Sequence, residues 1–405
     1  MKPDVYYFSA RSINYKQSMS RFKGPMALEK IGFEKNTNKD EKVVIKTHFG
    51  ATENVRYLRP SYIRFLSDYT RELGLYPTVA ESCGWGVPGV KGEYGGRANE
   101  EEYLDVALEH GFTPRTMNAP MIMLDGPDGL NYKLQRIDGR HFTDVRVAGR
   151  LSEFDAMIMA THFKGHSQSG FGGAIKNLGI GCVSKGGKTE AHTGKTFERD
   201  FDACKPECNK CVEICPTGAL YRNDNNELVY KEEKCRYCYM CASMCETDAI
   251  DIGTVPREQF VYQMVDNAKG VVDYFDNDNI YYLNYAIDIT WQCDCSGSSD
   301  VPFVSDIGIL SSKDPVALDQ ACVDLTHDSF MNRDSVLGEI KNLDPNEKEE
   351  WFSYIPRFED DEKFLNKEGI ISRHWELQLE AAEELDLGTR EYNLVPITIE
   401  KEKED

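Results

Sequence analysis

The amino-acid sequence predicts an α/β fold, a mostly parallel sheet with helices on both faces, interrupted by a small α+β domain rich in cysteine. Short apolar runs of strand type alternate with helical stretches from residue 42 onward, as parallel sheets require. The alternation stops near residue 196 and resumes near residue 254. Because 405 residues exceed one small domain, we expect the interrupted α/β part to supply the main core.

The elements follow from local pattern. Before the interruption, β-branched and apolar runs predict strands and 3.6-residue periodicity predicts helices. These are the strands Lys42–Lys46, Tyr76–Ala80 and Asp155–Ala160 and the helices Pro60–Leu73 and Glu100–His110. After it we expect helices over Pro256–Tyr274, from Asp314-Pro315 to about Asp324 and near His374–Asp386, and strands over Ile280–Ile289 and Asp306–Leu310. The predicted organisation is an α/β domain in two parts, 1–195 and 254–405, with an inserted domain at 196–253 and an acidic tail at 400–405.

The interrupting segment carries eight cysteines in two runs. Apart from one extra residue after the first cysteine, each run has the C-x2-C-x2-C-x3-C spacing of a ferredoxin that carries two [4Fe–4S] clusters. In such a domain the fourth cysteine of each run ligates the cluster of the other run. One cluster would therefore be held by Cys204, Cys208, Cys211 and Cys245, and the second by Cys235, Cys238, Cys241 and Cys215.

Two other uses of these cysteines are disulfides and zinc sites. Zinc sites usually pair two C-x2-C hooks, whereas each run here steps evenly through four cysteines. Disulfides are disfavoured because the N-terminus, Met1-Lys2-Pro3-Asp4, shows no signal peptide and no segment is apolar enough to span a membrane. We therefore expect a cytoplasmic protein without a membrane partner.

The charge balance bears on partners. With 47 basic against 68 acidic residues, the net charge is −21, which argues against nucleic acid because phosphate binding needs a basic surface. A cluster of lysine or arginine in a cleft would be notable in a chain with this negative charge. The expected partners are a redox partner protein or a small anionic ligand.

Candidate site residues follow two predicted strands. His48 ends one strand, and His162, Lys164 and His166 end another. Ligands of parallel sheets bind beyond the carboxyl ends of the strands, so these side chains are candidates for acid–base work, metal ligation or anion binding. A single histidine at such a position is otherwise a structural residue that bonds a loop carbonyl, and the sequence leaves both roles open.

The next stretch, residues 170–182, is rich in glycine. Gly172 and Gly173 would let backbone amides approach an anion, and Lys176 would supply charge; a tight packing turn is the alternative. The following Gly187-Lys188-Thr189 nearly matches a phosphate-binding loop. That motif needs a glycine five residues before Gly187, and this position is Cys182. Lys185, Lys188 and Lys195 are then expected to form a basic loop beside the inserted domain.

Other polar residues remain ambiguous. Cys293 and Cys295 could ligate a further metal together with a strand-end histidine. The alternative is that they are two free thiols at a strand end with no ligand role. Asp314 is expected to cap a helix, whereas Asp306 and Asp319 are candidates for a charged site lining.

The stretch Thr161–Cys182, taken with Asp306–Asp319, resembles the domain of unknown function 362 family. The resemblance implies an iron–sulfur centre protein of the kind found mainly in anaerobic bacteria and archaea, often with a two-cluster ferredoxin segment in this place. It implies no settled reaction.

Two functions are consistent with these patterns. In the first, the ferredoxin segment feeds electrons to a site in the α/β domain, and the protein is an oxidoreductase acting on a small anionic substrate or cofactor. In the second, it is a non-enzymatic electron carrier or a scaffold that docks with a redox partner.

Overall fold

The computed structural model describes residues 2–84, 87–89, 95–194, 198–247, 249–339, 347–355 and 373–399. The strands are Asp4–Ser9 (β1), Lys42–Lys46 (β2), Tyr76–Glu81 (β3), Met121–Met123 (β4), Tyr132–Arg136 (β5), Asp144–Ala148 (β6), Ala156–His162 (β7), Lys164–His166 (β8), Gly170–Gly172 (β9), Glu198–Arg199 (β10), Leu220–Arg222 (β11), Leu228–Tyr230 (β12), Ile250–Asp251 (β13), Ile280–Ala286 (β14), Gly308–Ser312 (β15) and Asn393–Pro396 (β16).

The α-helices are Gly24–Lys30 (α1), Phe33–Asn36 (α2), Pro60–Glu72 (α3), Glu100–Glu109 (α4), Pro114–Met117 (α5), Ala174–Gly179 (α6), Lys185–Thr193 (α7), Lys210–Glu213 (α8), Met240–Ser243 (α9), Arg257–Phe275 (α10), Pro315–His327 (α11) and His374–Glu384 (α12). Short 3-10 turns and one π-helical turn, Met19–Lys23, connect several of them. No helix in the described ranges is both long enough and apolar enough to cross a bilayer.

Eight of these strands form one mostly parallel sheet in the order β16-β1-β15-β14-β7-β2-β3-β4. Only β15 runs against its neighbours, pairing antiparallel with β1 and β14, while the other adjacent pairs are parallel. The carboxyl ends of β14, β7, β2 and β3 consequently lie along one edge.

The sheet is buried on both faces. Alternate residues of β2 point to opposite cores, Val43 and Ile45 to one and Val44 to the other. Helices α1, α3 and α4 cover the first core, and α6, α10, α11 and α12 cover the second. The prediction of an α/β fold with helices on both faces is confirmed.

The inserted segment forms its own small unit. β10 and β13 pair antiparallel at Glu198↔Asp251, so the chain enters and leaves the unit side by side. The hairpin β11–β12 and the one-turn helices α8 and α9 complete it around Cys211, Leu220, Leu228 and Ile250. The predicted junction at residues 195 and 196 and the acidic tail 400–405 fall outside the described residues.

Most predicted elements are present, with shifted ends. The strand expected to reach Ile289 stops at Ala286, and the one expected from Asp306 begins at Gly308. The basic loop predicted at Lys185 and Lys188 is wrong, because both side chains are buried in helix α7. Ser184 caps that helix by accepting a hydrogen bond from the Gly187 amide.

Candidate functional site

The cysteines of the inserted domain fall into two groups in space. Burial raises the pKa of the Cys211 thiol to about 11, and three neighbouring thiols add to the shift. Those neighbours are Cys204, Cys208 and Cys245. The last cysteine of the second run thus lies with the first run.

The second group mirrors the first. Burial and three neighbouring thiols raise the pKa of Cys241. The neighbours are Cys238, Cys235 and Cys215. The grouping agrees with the exchange of fourth ligands that the spacing predicts, including the place of Cys204 despite the extra residue after it.

Protein donors point at these sulfurs. The amides of Ala219 and Tyr237 lie 3.2 Å from Cys215 Sγ and 3.3 Å from Cys235 Sγ. Arg222 Nη2 lies 3.4 Å from Cys204 Sγ. Donors of this kind stabilise the negative sulfurs of an iron–sulfur cluster, so each group of four thiols fits one [4Fe–4S] ligand set. The chemistry that such a cluster supplies when bound is one-electron transfer.

A cavity of about 560 Å³ opens at the carboxyl edge of the sheet in the main domain. All seven candidate residues from the strand ends and the glycine-rich stretch line it: His48, His162, Lys164, His166, Gly172, Gly173 and Lys176. The structure therefore brings them together in one place, and their roles there stay predictions.

His48 presents a donor to the cavity. The Gly50 amide donates to His48 Nδ1 at 2.8 Å, so the neutral ring carries its proton on Nε2. Burial lowers the pKa of His48 well below its usual value, and the positive charges of Arg97 and Lys164 act in the same direction. The ring is therefore uncharged near neutral pH, with an N–H available to a ligand.

His162 and Lys164 are held by one buried carboxylate. Asp294 lies 2.8 Å from His162 Nδ1 and 3.2 Å from Lys164 Nζ. The other ring nitrogen of His162 lies 2.8 Å from the Ile287 carbonyl oxygen. Both nitrogens of His162 are thus engaged inside the protein.

His166 faces two thiols across the cavity wall. One ring nitrogen of His166 and the sulfurs of Cys293 and Cys295 all lie within 4.8 Å of one another. Lys176 Nζ lies 3.3 Å from Cys293 Sγ. Burial lowers the pKa of Lys176 and the two thiols raise it, with a net upward shift, so the ammonium stays charged.

The structure places further charged residues at or beside the cavity that the sequence did not assign to it. Arg97 reaches the cavity from a loop that gives no sequence signal, and its Nη2 donates to the Cys295 carbonyl at 3.1 Å. Lys188 Nζ donates to Ser82 Oγ at 2.7 Å. A buried ion pair, Lys46 with Glu81 at 2.6 Å, closes the ends of β2 and β3. The strand-end position of Lys46 was a usable signal, because a charge directly after an apolar run faces this edge.

The glycine-rich stretch is partly used by the protein itself. The amides of Ala174 and Ile175, which begin α6, donate to the two oxygens of Asp319 at 2.8 and 2.9 Å. Gly173 is required there, because a Cβ would lie 2.3 Å from Asp319 Oδ1. Asp319 is therefore a buried cap, and its expected place in a charged lining is wrong. Asp306, the other candidate, instead accepts from the Asp288 amide at 2.7 Å, away from the residues that line the cavity.

The expected role of Asp314 is confirmed. Asp314 caps α11 by accepting from the amides of Val316 and Ala317 at 2.9 and 2.8 Å. Cys322 on the same helix is fully buried in the core.

Known proteins resemble the chain in two separate regions. The family described as domain of unknown function (DUF362) matches residues 43–324. A 54-residue segment is 41% identical to a ferredoxin of Methanothermococcus thermolithotrophicus, spanning 13% of this chain and 90% of the ferredoxin. A 64-residue segment is 30% identical to pyruvate synthase subunit PorD of Methanocaldococcus jannaschii, spanning 16% of this chain and 74% of that subunit.

Solved structures resemble it weakly. The lactate racemase apoprotein of Thermoanaerobacterium thermosaccharolyticum matches with a TM-score of 0.33 and 12% identity, over 71% of this chain and 51% of the racemase. A Thermotoga maritima protein matches with a TM-score of 0.38 and 10% identity, over 77% of this chain and 60% of that protein. The chain thus spans about half of one structure and three-fifths of the other, and at these TM-scores neither bears on the site.

Together, the match over most of the chain and the cysteine grouping lead to one conclusion. The protein belongs to the domain of unknown function (DUF362) family and carries within it a ferredoxin-like domain with an iron–sulfur electron-transfer role.

Proposed function

We propose that the protein is an oxidoreductase in which two [4Fe–4S] clusters, bound in the inserted domain, deliver electrons to a small anionic substrate or cofactor in the cavity. The carrying observation is the position of helix α7. One side of this helix contacts the second cysteine run, and the other side lines the cavity.

The two sides of α7 are set by helical periodicity. Gly186 and Glu190, four residues apart, face the inserted domain: a Cβ on Gly186 would lie 2.7 Å from the Tyr237 carbonyl oxygen, and Tyr239 Oη lies 3.4 Å from Glu190. Lys188 and His192, also four apart, line the cavity. The second cysteine run is therefore about one helix width, roughly 10 Å, from the cavity wall.

The two cysteine runs differ in their contact with helix α7. Tyr237 and Tyr239 of the second run contact α7, whereas Lys205, Pro206 and Glu207 beside the first run are exposed. This difference supports a direction for transfer. A redox partner protein would supply single electrons at the first run, and they would leave for the cavity through the second run and α7.

The charges around the cavity favour an anion. Arg97, Lys164, Lys176 and Lys188 all line it, in a chain whose net charge is −21. Within the described residues neither Arg97 nor Lys176 pairs with a carboxylate, and the buried Arg97 Nε has no hydrogen-bond partner. Unpaired buried donors are costly, so an acceptor such as a carboxylate or phosphate group of a ligand would stabilise them.

The proposal is tested by reoxidation of the reduced protein. Full-length protein would be reduced anaerobically, freed of reductant and mixed with a panel of small carboxylates and phosphate esters that can accept electrons. Return of the visible iron–sulfur absorbance reports transfer. We expect at least one compound to reoxidise the protein. Arg97→Met and Lys176→Met should each slow that reaction at least tenfold, because each variant loses one charge-assisted contact to the compound.

Lys133→Met is the matched control, because Lys133 is an exposed lysine on β5 that does not line the cavity. It should reoxidise at the wild-type rate. The enzyme assignment fails if no compound reoxidises the protein, or if the cavity variants and the control behave alike. Rapid reoxidation by carrier proteins in all variants, with none by small molecules, would favour the electron carrier or scaffold instead.

A further inference from the structure

We infer that His166, Cys293 and Cys295 form a binding site for a divalent metal of the zinc type, separate from the iron–sulfur ligands and open to the cavity. The three ligand atoms lie within 4.8 Å of one another. A tetrahedral ion with Zn–S bonds of about 2.3 Å and Zn–N bonds of about 2.0 Å holds its ligand atoms about 3.5–3.8 Å apart, so small side-chain rotations suffice.

The backbone holds both sulfurs on the same side. Cys293 and Cys295 flank Asp294, whose side chain points the opposite way to His162 and Lys164. The Asp294 carbonyl also accepts from the Ala51 amide at 2.8 Å, and Ser296 closes the turn on the Cys293 carbonyl at 3.0 Å. Because this turn is already ordered, metal binding to the two thiolates costs no conformational entropy for ordering a loop.

The histidine is oriented in the same way. His166 lies on β8, where the Gly165 amide donates to the Thr290 carbonyl at 2.7 Å and so fixes the strand beside the cysteine turn. His166 Nδ1 lies 2.8 Å from Ser169 Oγ, which itself donates to the Phe171 carbonyl at 2.8 Å. The Ser169 amide also donates to Nδ1, at 3.1 Å. The neutral ring in this structure therefore carries its proton on Nε2. Metal binding at Nε2 moves that proton to Nδ1, where Ser169 Oγ accepts it in place of the amide contact.

The ligand set leaves one position free. Two thiolates and one imidazole match the three protein ligands of catalytic zinc sites, in which the fourth position takes water or substrate. His166 and Cys295 both line the cavity, so the fourth position opens there. Lys176, 3.3 Å from Cys293 Sγ, donates to a bound thiolate as an outer-shell partner does. The site would supply Lewis-acid polarisation of a ligand and does not rest on the proposed electron delivery.

Zinc itself is the probe. Full-length protein with its iron content intact would be treated anaerobically with a chelator, desalted, given Zn²⁺ and washed with a weak competitor. Elemental analysis should find about one zinc per chain, and zinc X-ray absorption should show two sulfurs near 2.3 Å and one nitrogen near 2.0–2.1 Å. Absorption at the zinc edge reports on zinc alone, so the iron clusters do not contribute to it.

The variants separate this site from other thiols. Cys293→Ser with Cys295→Ser should abolish zinc retention at unchanged iron content. The control pair Cys83→Ser with Cys322→Ser, two buried free thiols of the main domain, should keep it. If the serine variant loses iron or fails to fold, His166→Gln replaces it and should weaken zinc binding at least tenfold. A four-sulfur zinc environment, equal zinc in the serine variant, or a Cys293–Cys295 disulfide in anaerobically isolated protein would overturn the inference.

Discussion

The inserted domain and the cavity assemble their binding groups by opposite means. In the inserted domain all eight thiols come from residues 204–245, and only Cys215 and Cys245 cross between the two groups. In the cavity the facing side chains come from positions as distant as His48 and Cys295, carried to one edge by the order of the sheet. Local spacing therefore determines the first site, and topology determines the second.

The largest expected effect tests the exchange of ligands in the inserted domain. Cys245→Ser should reduce iron from about eight to about four atoms per chain, with the same cluster lost as in Cys208→Ser. The reason is that Cys245 lies with the first run. Iron analysis and electron paramagnetic resonance of the reduced variants measure this, and a Cys245→Ser variant that matches Cys238→Ser would contradict the grouping.

The second effect concerns the buried charges behind the cavity. Lys46→Met leaves Glu81 unpaired in the core and should lower the free energy of unfolding by about 3–5 kcal/mol. Lys46→Met with Glu81→Met should recover most of that loss, because both charges are then absent. Chemical denaturation under anaerobic conditions provides the measurement. Lys269→Met, which breaks a partly exposed pair with Asp273, should cost only about 0–1 kcal/mol.

A third effect depends on pH. Burial raises the pKa of Asp319 from 3.8 to about 6, against the amides of Ala174 and Ile175 that lower it. A carboxyl whose folded pKa is raised contributes stability that is present at low pH and is lost as pH rises through the folded value.

Asp319→Asn removes that titration, since an amide does not ionise. Replacing one accepting oxygen by an NH2 group should cost about 1–2 kcal/mol near pH 5, where Asp319 is largely protonated. The deficit relative to wild type should shrink toward about pH 7, as the wild-type protein loses the contribution of Asp319. Denaturation curves of both proteins at the two pH values measure the difference, and a deficit that is constant or grows would contradict the buried position of the carboxyl.

The smallest effect is a shift of potential. Arg222→Met removes the donor to Cys204 Sγ and should lower the reduction potential of the cluster of the first run. One hydrogen bond of about 0.5–1.5 kcal/mol corresponds to roughly 20–60 mV for a one-electron couple. Anaerobic redox titration should show the potential of the cluster of the second run unchanged. A shift in that potential alone would contradict the position of Arg222 beside the first run.

Much of the fold was predictable because each strand is a local pattern. Lys42–Lys46 is confirmed at both ends, and Pro60–Glu72 differs from its prediction by one residue. The strand Ile280–Ala286 ends earlier than its apolar run because residues beyond Ala286 turn away toward the cysteines, where Ile289 instead accepts from the Phe303 amide. The sequence predicts a loop where helix α7 forms, because a run with two glycines and two lysines has low helix propensity. The helix gains its stability from burial.

For the cavity, the sequence indicated the strand-end residues but not their partners. The local sequence does not indicate that Asp294 or Arg97 belongs to the site. Asp294 contacts His162 and Arg97 contacts Cys295, and in both pairs the partners are more than a hundred residues apart in the chain. His162 shows the consequence. Its position predicts a site residue, yet the carboxylate of Asp294 and the carbonyl of Ile287 hold both ring nitrogens.

By itself, the sequence determined the α/β class, the inserted ferredoxin-like domain and the eight thiols, because periodicity and short-range spacing are properties of neighbouring residues. Only the tertiary structure decided that α7 separates the second cysteine run from the cavity, and that His166 meets Cys293 and Cys295 there. These juxtapositions depend on strand order and on buried carboxylates that hold loops in place, and both arise only when distant segments pack together.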